Sequence, residues 1–275
     1  MRTPLNKRIG RSIRAALRVR TLSRFGKGIL VETKNGLLIV DPRDFSVSRR
    51  LLSGGSYDWP NIRLLRRLIG DDARVVFVGS HIGALLVPLA RKAGHVLGLE
   101  ADPRNYSFLE LNVLLNRLAN VELVNCAVGE RRGTCTVVHN DINSGNSRVS
   151  PAGDGEAVGA TVEMKPLDDL VPREWSAIDL VVMDIEGYEV HAIRGASETL
   201  LRTRYFYVEY CPEQLEEQGS SREQFVDSLR ERYRSMRIVD RDGECRRPEN
   251  WTEYLLGLPQ RPGLLLNLLF SNDEG

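Results

Sequence analysis

The run Val75-Val76-Phe77-Val78-Gly79-Ser80-His81-Ile82-Gly83 constrains this chain more than any other stretch. Four β-favouring residues enter a turn bounded by glycines, and an apolar, helix-compatible segment follows. The next apolar run, Val96-Leu97-Gly98-Leu99-Glu100, ends on a carboxylate 21 residues after Gly79. Strand, tight glycine turn, helix and acid-tipped strand are the parts of a nucleoside-binding α/β half-fold, where an acid about 20 residues on accepts ribose hydroxyls. The glycine spacing narrows the ligand further. A dinucleotide turn reads G-x-G-x-x-G, and its second glycine lets a pyrophosphate approach the backbone. Here that position is His81, which would crowd the phosphates. The remaining Gly79-x-x-x-Gly83 suits a cofactor without a pyrophosphate, and S-adenosylmethionine fits better than NAD.

At 275 residues the chain is long enough for one large α/β domain and a small accessory piece. Cysteines 126, 135, 211 and 245 form no C-x-x-C pair and no zinc-like spacing, so a reduced, cytoplasmic compartment is the simplest expectation. No apolar run is long enough to span a bilayer. The net charge of +1 conceals an asymmetry: residues 1–27 hold nine Lys or Arg and no acid, leaving 29 basic against 37 acidic residues beyond them. Leu5, Ile9, Ile13 and Leu17 recur every fourth residue, so 1–27 reads as a basic amphipathic leader. It suits a contact with its own domain, a partner subunit in a homo-oligomer or an anionic membrane surface. No aromatic residue interleaves the charges before Phe25, so nucleic acid is not expected as a partner.

The segments 29–33 and 37–40 flank Lys34-Asn35-Gly36, a hairpin signal because Asn-Gly favours a type I′ turn. A loop over 53–60 and an amphipathic helix over 62–69 complete a small N-terminal cap, residues 28–70. From 71 to 275 strands and helices alternate. Strands are expected at 75–78, 96–100, 121–126, 178–183, 205–210 and 264–270, with shorter apolar runs at 135–138 and 162–164. Helices are expected over 83–92, after Asp102 (N-cap) and Pro103, over 187–201, and after a Ser220/Glu223 capping box. Residues 139–160, rich in Asn, Ser, Gly and Asp, read as a long loop. The fold class is therefore α/β, a doubly wound, mostly parallel, Rossmann-like sheet with a hairpin-and-helix cap. Ligands in such sheets bind at the carboxyl ends of the strands.

Asp184, Glu186 and Glu189 stand where a strand gives way to a helix. Acids in a first helical turn complement the macrodipole, which is the structural explanation for Glu189. Asp184 at the strand end points instead to chemistry: methyl transfer to an alcohol needs a carboxylate or histidine to take the proton, or a divalent ion to acidify the hydroxyl. Asp184 or Glu186 is the candidate base. His139 is a further catalytic candidate if the 139–160 loop closes over the site, and His191 reads as structural. Asp184 and Glu209, on the ends of neighbouring strands, are candidate ligands for Mg²⁺. The turn exposes His81 to the crevice.

These pieces together resemble the FkbM-type methyltransferases, a class I S-adenosylmethionine-dependent family acting largely on hydroxyls of natural products and glycans. The resemblance rests on Gly79-Ser80-His81-Ile82-Gly83, Leu99-Glu100-Ala101-Asp102-Pro103, Val124-Asn125-Cys126-Ala127-Val128-Gly129 and Leu167-Asp168-Asp169-Leu170. Asp184-Ile185-Glu186-Gly187-Tyr188-Glu189, Arg194-Gly195-Ala196, Val208-Glu209 and the lead-in Gly54-Gly55-Ser56-Tyr57 complete it. It implies that Gly79, Ser80, His81 and Gly83 turn the backbone against the methionine portion. It further implies that Glu100 with Ala101 takes the ribose, that Cys126 and Ala127 lie along the adenine, and that Asp184 sits beneath the methyl donor. The chain departs from the family pattern at Phe77 (usually Asp), His81 (usually Asn) and Met183 (usually Lys). The leading expectation is an O-methyltransferase for a hydroxyl of a small natural product or sugar. An N-methyltransferase on the same fold, or a degenerate scaffold that binds cofactor or partner, are the alternatives.

Overall fold

The computed structural model describes residues 26–139, 148–151, 159–259 and 261–272. The leader expected over 1–27 therefore lies almost wholly outside the described residues. Two strands, β1 (Ile29–Thr33) and β2 (Gly36–Val40), form the expected hairpin. Its turn is not type I′: only Gly36 takes a positive φ, +132°, whereas type I′ needs φ > 0 at both central residues, here Lys34 and Asn35. Asn35 serves tertiary structure instead. Fully buried, its Nδ2 donates to Tyr57 O at 2.7 Å and Ala84 O at 2.8 Å, while its Oδ1 accepts from Tyr57 N at 2.9 Å. Asn35→Ala strands these groups at about 1–3 kcal/mol each. Urea unfolding of this variant should show a loss of at least about 3 kcal/mol.

Helix α1 (Val47–Gly54) fills a stretch for which no element was expected and runs two residues into the loop expected over 53–60. Asp44 starts it by accepting from Ser46 N at 2.9 Å and Ser48 N at 2.7 Å, and Val47 and Leu51 face inward one turn apart. Helix α2 (Trp59–Leu68) follows. The main sheet comprises β3 (Arg74–Val78), β4 (His95–Glu100), β5 (Val121–Asn125), β10 (Ile178–Met183), β11 (Thr203–Tyr210), β12 (Ser235–Val239), β13 (Cys245–Arg246) and β14 (Leu266–Ser271). Its spatial order is β13-β12-β14-β11-β10-β3-β4-β5. Strands β3, β4, β5, β10 and β11 pair in parallel, and β14 inserts antiparallel between β11 and β12. The chain runs outward from β3 through β4 to β5, then resumes on the other side of β3 at β10. That reversal is the topological switch point where α/β sheets open a crevice.

Both faces of the sheet are covered, which is why its strands read as nearly continuous apolar runs. Val76, Val181 and Phe206 point into one core. Val75, Phe77, Val182 and Tyr207 point into the other, which they share with Leu38, Val47, Leu51 and Ile62 of the cap. Cap and sheet thus bury one common apolar mass.

A second sheet, ordered β6-β9-β7-β8, joins β6 (Ala127–Val128), β7 (Gly133–Val138), β8 (Arg148–Pro151) and β9 (Ala160–Lys165). Part of the expected 139–160 loop is therefore strand; the rest of that segment is largely outside the described residues. Other boundaries shift for local reasons. The helix expected over 83–92 is regular only at α3 (Leu86–Ala90), since Gly83 has φ +85° and Pro88 lacks an N–H. The next helix, α4 (Pro103–Leu115), starts as expected, Asp102 accepting from Arg104 N at 2.9 Å. The helix expected over 187–201 is two, α5 (Glu189–Arg194) and α6 (Ser197–Leu201). They part at Gly195, where a Cβ would lie 2.1 Å from Gly129 O. After α7 (Pro212–Glu217), α8 (Arg222–Leu229) is capped by Ser221 and Gln224, one residue later than expected. Helix α9 (Trp251–Leu256) precedes β14. Among the described residues no helix is long and apolar enough to cross a membrane.

Candidate active site

The loop after β3 is built by close backbone approach. Gly79 has φ +85°, and a Cβ there would lie 1.9 Å from Asp184 O at the end of β10. The N–H groups of Gly79 and Ser80 both reach Leu99 O, at 3.0 and 2.9 Å. His81 has φ +50°, a left-handed conformation that Asn, Asp and His tolerate better than other side chains. That accounts for His where the family pattern has Asn: the backbone demands the conformation before any ligand does. His81 N donates to Glu100 Oε2 at 2.7 Å, and Asp102 N donates to Oε1 at 2.9 Å. The Glu100 carboxylate therefore welds the glycine turn to the end of β4. Burial pushes its pKa up to about 7 against these stabilising N–H bonds.

A cavity of about 960 Å³ opens above the switch point. Of the expected cofactor residues, Gly79, Ser80, His81, Glu100, Ala101, Cys126, Ala127 and Asp184 all lie on its wall. Gly83 does not; it shapes the turn and faces Leu109, whose Cδ1 would lie 2.9 Å from a Cβ. Phe77 also touches the cavity, yet it is 1% exposed and packs within the cap-side core. Its ring forms part of the wall and leaves the cavity open. Replacing it by Asp would bury a charge in apolar surroundings, so Phe77→Asp tests core packing as much as ligand affinity.

The far end of the cavity is acidic. Met183 and Val208 are register partners, so Asp184 and Glu209 emerge side by side and hydrogen-bond to each other. Asp184 is enclosed by protein yet its side chain meets the cavity solvent. Burial, then the Asp58 charge, raises Asp184 to about 6; burial, then the Asp184 charge, raises Glu209 to about 10. Near neutral pH the pair therefore carries one proton, held mainly by Glu209. Glu186 sits at φ +56°, bonded to Gln214 Nε2, and contributes a third carboxylate: oxygens of Asp184, Glu186 and Glu209 lie within 4.8 Å of one another. Glu189 is placed differently. It is buried, and its Oε1 accepts from Ile185 N at 3.1 Å and Gly187 N at 3.3 Å, holding the strained 184–187 loop from behind.

His139 is not among the cavity-lining residues. Its Nδ1 bonds to Asp102 Oδ2, beyond the end of β4, which stands two strands (roughly 10 Å) from β10. The structure does not bring it to Asp184. His191 stacks on Tyr188 at 4.5 Å and reaches Gln218 O at 3.1 Å. Wall residues that were not expected as site residues include Tyr57 and Asp58, which fell within the expected 53–60 loop, and Tyr207. Tyr207 had one available signal, since it lies two residues before Glu209 and so on the same face of its strand.

Glu100 and Glu189 imply a pH dependence of stability. Burial holds both at about 7 in the folded chain, above their ordinary 4.5. In that window the folded state keeps protons that the unfolded chain releases, so stability is greater below it and falls as pH rises through it. Thermal melts should show a lower Tm at about pH 8 than at about pH 5. Glu189→Gln should flatten part of this slope.

The profile of the family described as "Methyltransferase FkbM domain" matches residues 78–236. The chain is 41% identical over 58 residues to the 2-O-methyltransferase NoeI of Sinorhizobium fredii, covering 21% of this chain and 24% of that protein. It is 27% identical over 157 residues to the methyltransferase sdnD of Sordaria araneosa, covering 45% and 60%. The chain thus spans less than two thirds of either relative. A crystal structure of M. jannaschii TYW2 in complex with AdoMet superposes with a TM-score of 0.42 at 16% identity, over 89% of this chain and 85% of that one.

Proposed function

The chain belongs to the FkbM methyltransferase family, and from that premise we propose that it is an S-adenosylmethionine-dependent O-methyltransferase acting on a hydroxyl of a small natural product or sugar. One observation carries the reading: a single cavity wall runs from the glycine turn and Glu100 to the Asp184–Glu209 pair. The donor supplies an electrophilic methyl group on a sulfonium. Glu100 accepts two backbone N–H groups and a side-chain bond from Asn105, and the acceptor capacity left on its carboxylate serves a ribose hydroxyl. Burial pushes the Cys126 thiol up to about 11, so it stays neutral and, with Ala127, offers a neutral surface to the adenine. An unassisted alcohol near water's pKa of ~15.7 supplies almost no alkoxide. Asp184 takes the hydroxyl proton as the oxygen bonds to the methyl carbon and the carbon–sulfur bond breaks. Protonated Glu209 hydrogen-bonds to Asp184 and orients it. The name of the NoeI relative supports oxygen as the acceptor atom.

Calorimetric titration tests the donor first: absence of binding by both S-adenosylmethionine and S-adenosylhomocysteine rejects this function. A panel of glycans and hydroxylated metabolites with labelled donor then identifies the acceptor, and NMR of the product separates oxygen from nitrogen methylation. A second reading of the acidic end is a divalent-ion site at Asp184, Glu186 and Glu209, favoured by the mutual approach of their oxygens. Activity that EDTA abolishes and Mg²⁺ restores selects it; indifference to EDTA removes it.

A further inference from the structure

Tyr207 is 4% exposed, and among the described residues its hydroxyl has no hydrogen-bond partner. Buried phenols ordinarily find one, so this group points to something the protein alone does not supply. Strand register explains its position. Phe77, Val182 and Tyr207 align across β3, β10 and β11, and Gly79, Asp184 and Glu209 follow two residues on along the same face. The phenol therefore stands immediately below the carboxyl pair. Burial and the nearby charges of Asp58, Asp184 and Glu209 all keep its proton in place.

Asp58 faces this row from the cap. It heads α2 at φ +47° but makes no capping bond to that helix. One carboxylate oxygen accepts from Asn61 Nδ2 at 2.8 Å, and among the described residues the other has no hydrogen bond. Asp58 and Tyr207 both line the cavity. The wall cation Arg50 lies over the Tyr57 ring, 5.5 Å from its centroid, and its charge also reaches Asp58 without a hydrogen bond between them. This end of the cavity thus offers, among the described residues, an unused carboxylate oxygen, an unused phenol oxygen and the neighbouring carboxyl pair to one small cationic donor.

We propose that Asp58 and Tyr207, beside the Asp184–Glu209 pair, form a subsite for a primary ammonium group. Three N–H donors match the three acceptors, and the surrounding negative field selects for charge. The ammonium belongs either to the amino-acid end of the methyl donor, which rests on the function proposed above, or to an amine-bearing acceptor.

The full chain, Asp58→Asn and Tyr207→Phe are titrated with S-adenosylhomocysteine, with 5′-methylthioadenosine (same nucleoside, no ammonium), and with glucosamine against glucose. Loss of about tenfold or more in S-adenosylhomocysteine affinity, with methylthioadenosine unchanged, assigns the ammonium to the donor. Unchanged adenosyl binding with loss of a wild-type preference for glucosamine assigns it to the acceptor. Equal weakening of methylthioadenosine and S-adenosylhomocysteine in both variants indicates disturbed packing and overturns the subsite. So does no change with any ligand. A wild type that binds no adenosyl compound yet prefers glucosamine sinks the donor while the subsite stands; one that shows neither sinks both. Tyr207→Phe keeps the ring, so it carries the test should Asp58→Asn fold poorly.

Discussion

Asp184→Asn lowers kcat by roughly 10²–10⁴-fold with an acceptor that the wild type turns over, the usual contribution of a positioned general base. The amide is close in shape to the carboxylate but cannot take a proton. Its effect should be read against Glu209→Gln, which removes a group already protonated near neutral pH because burial and the Asp184 charge hold it at about 10. The second variant should retain much more activity. The pH profile provides an independent check. Wild-type kcat/KM should climb as pH rises through about 6, where Asp184 ionises, and this limb should vanish in Asp184→Asn. Undiminished turnover in that variant would remove the proposed base and favour transfer to a neutral amine, which needs less help.

Gly79→Ala should be the most damaging added methyl among the described glycines. The position has φ +85°, and the new Cβ would lie 1.9 Å from Asp184 O. The conformational strain alone is about 1–3 kcal/mol. The collision is with backbone, so no side-chain rotation relieves it; β3 and β10 must separate at the switch point. A total loss of several kcal/mol corresponds to a Tm fall on the order of 10 °C for a domain this size. S-adenosylhomocysteine binding should disappear with it, since the same loop lines the cavity. Gly83→Ala is the informative comparison. Its φ is also +85°, but its collision is with the Leu109 Cδ1 atom, which can yield. Gly54→Ala, with nothing within 4 Å, should be nearly silent. Equal melting temperatures for Gly79→Ala and Gly54→Ala would contradict the proposed close approach.

Much of the fold could be read from residue patterns because local rules and burial agreed. The apolar runs at 75–78 and 178–183 had to be central strands, being too short for helices and buried on both faces. Asp102-Pro103 marked a helix start through chemistry confined to its own first turn. Misreadings arose where a distant partner decided the outcome. Asn35-Gly36 signalled a type I′ turn, but the Asn35 side chain is fixed by Tyr57 and Ala84, and the turn adapts. Gly195 looked like an interior helix residue until Gly129 O occupied the space of its Cβ. Glu189 could be explained by the helix dipole, yet its carboxylate turns back onto Ile185 and Gly187.

The site divides the same way. The glycine turn and Glu100 were visible because their spacing is set within one strand-turn-helix-strand unit. Asp184 was visible because a strand end opens onto the crevice. The role of His81 depended on a backbone angle, and that of His139 on its bond to Asp102, neither of which residue type alone specifies. Asp58 lies on the cap and Tyr207 within a sheet strand, far apart along the chain.

Sequence alone determined the class of sheet, the nucleoside-type turn and the acid-tipped strands, because periodicity, glycine placement and strand-end chemistry are short-range properties. Only the tertiary structure decided which acids share a proton, which carboxylate merely supports a loop, and that the Tyr207 phenol has no partner among the described residues. Those outcomes depend on desolvation and on separations of a few ångströms between residues that folding alone brings together.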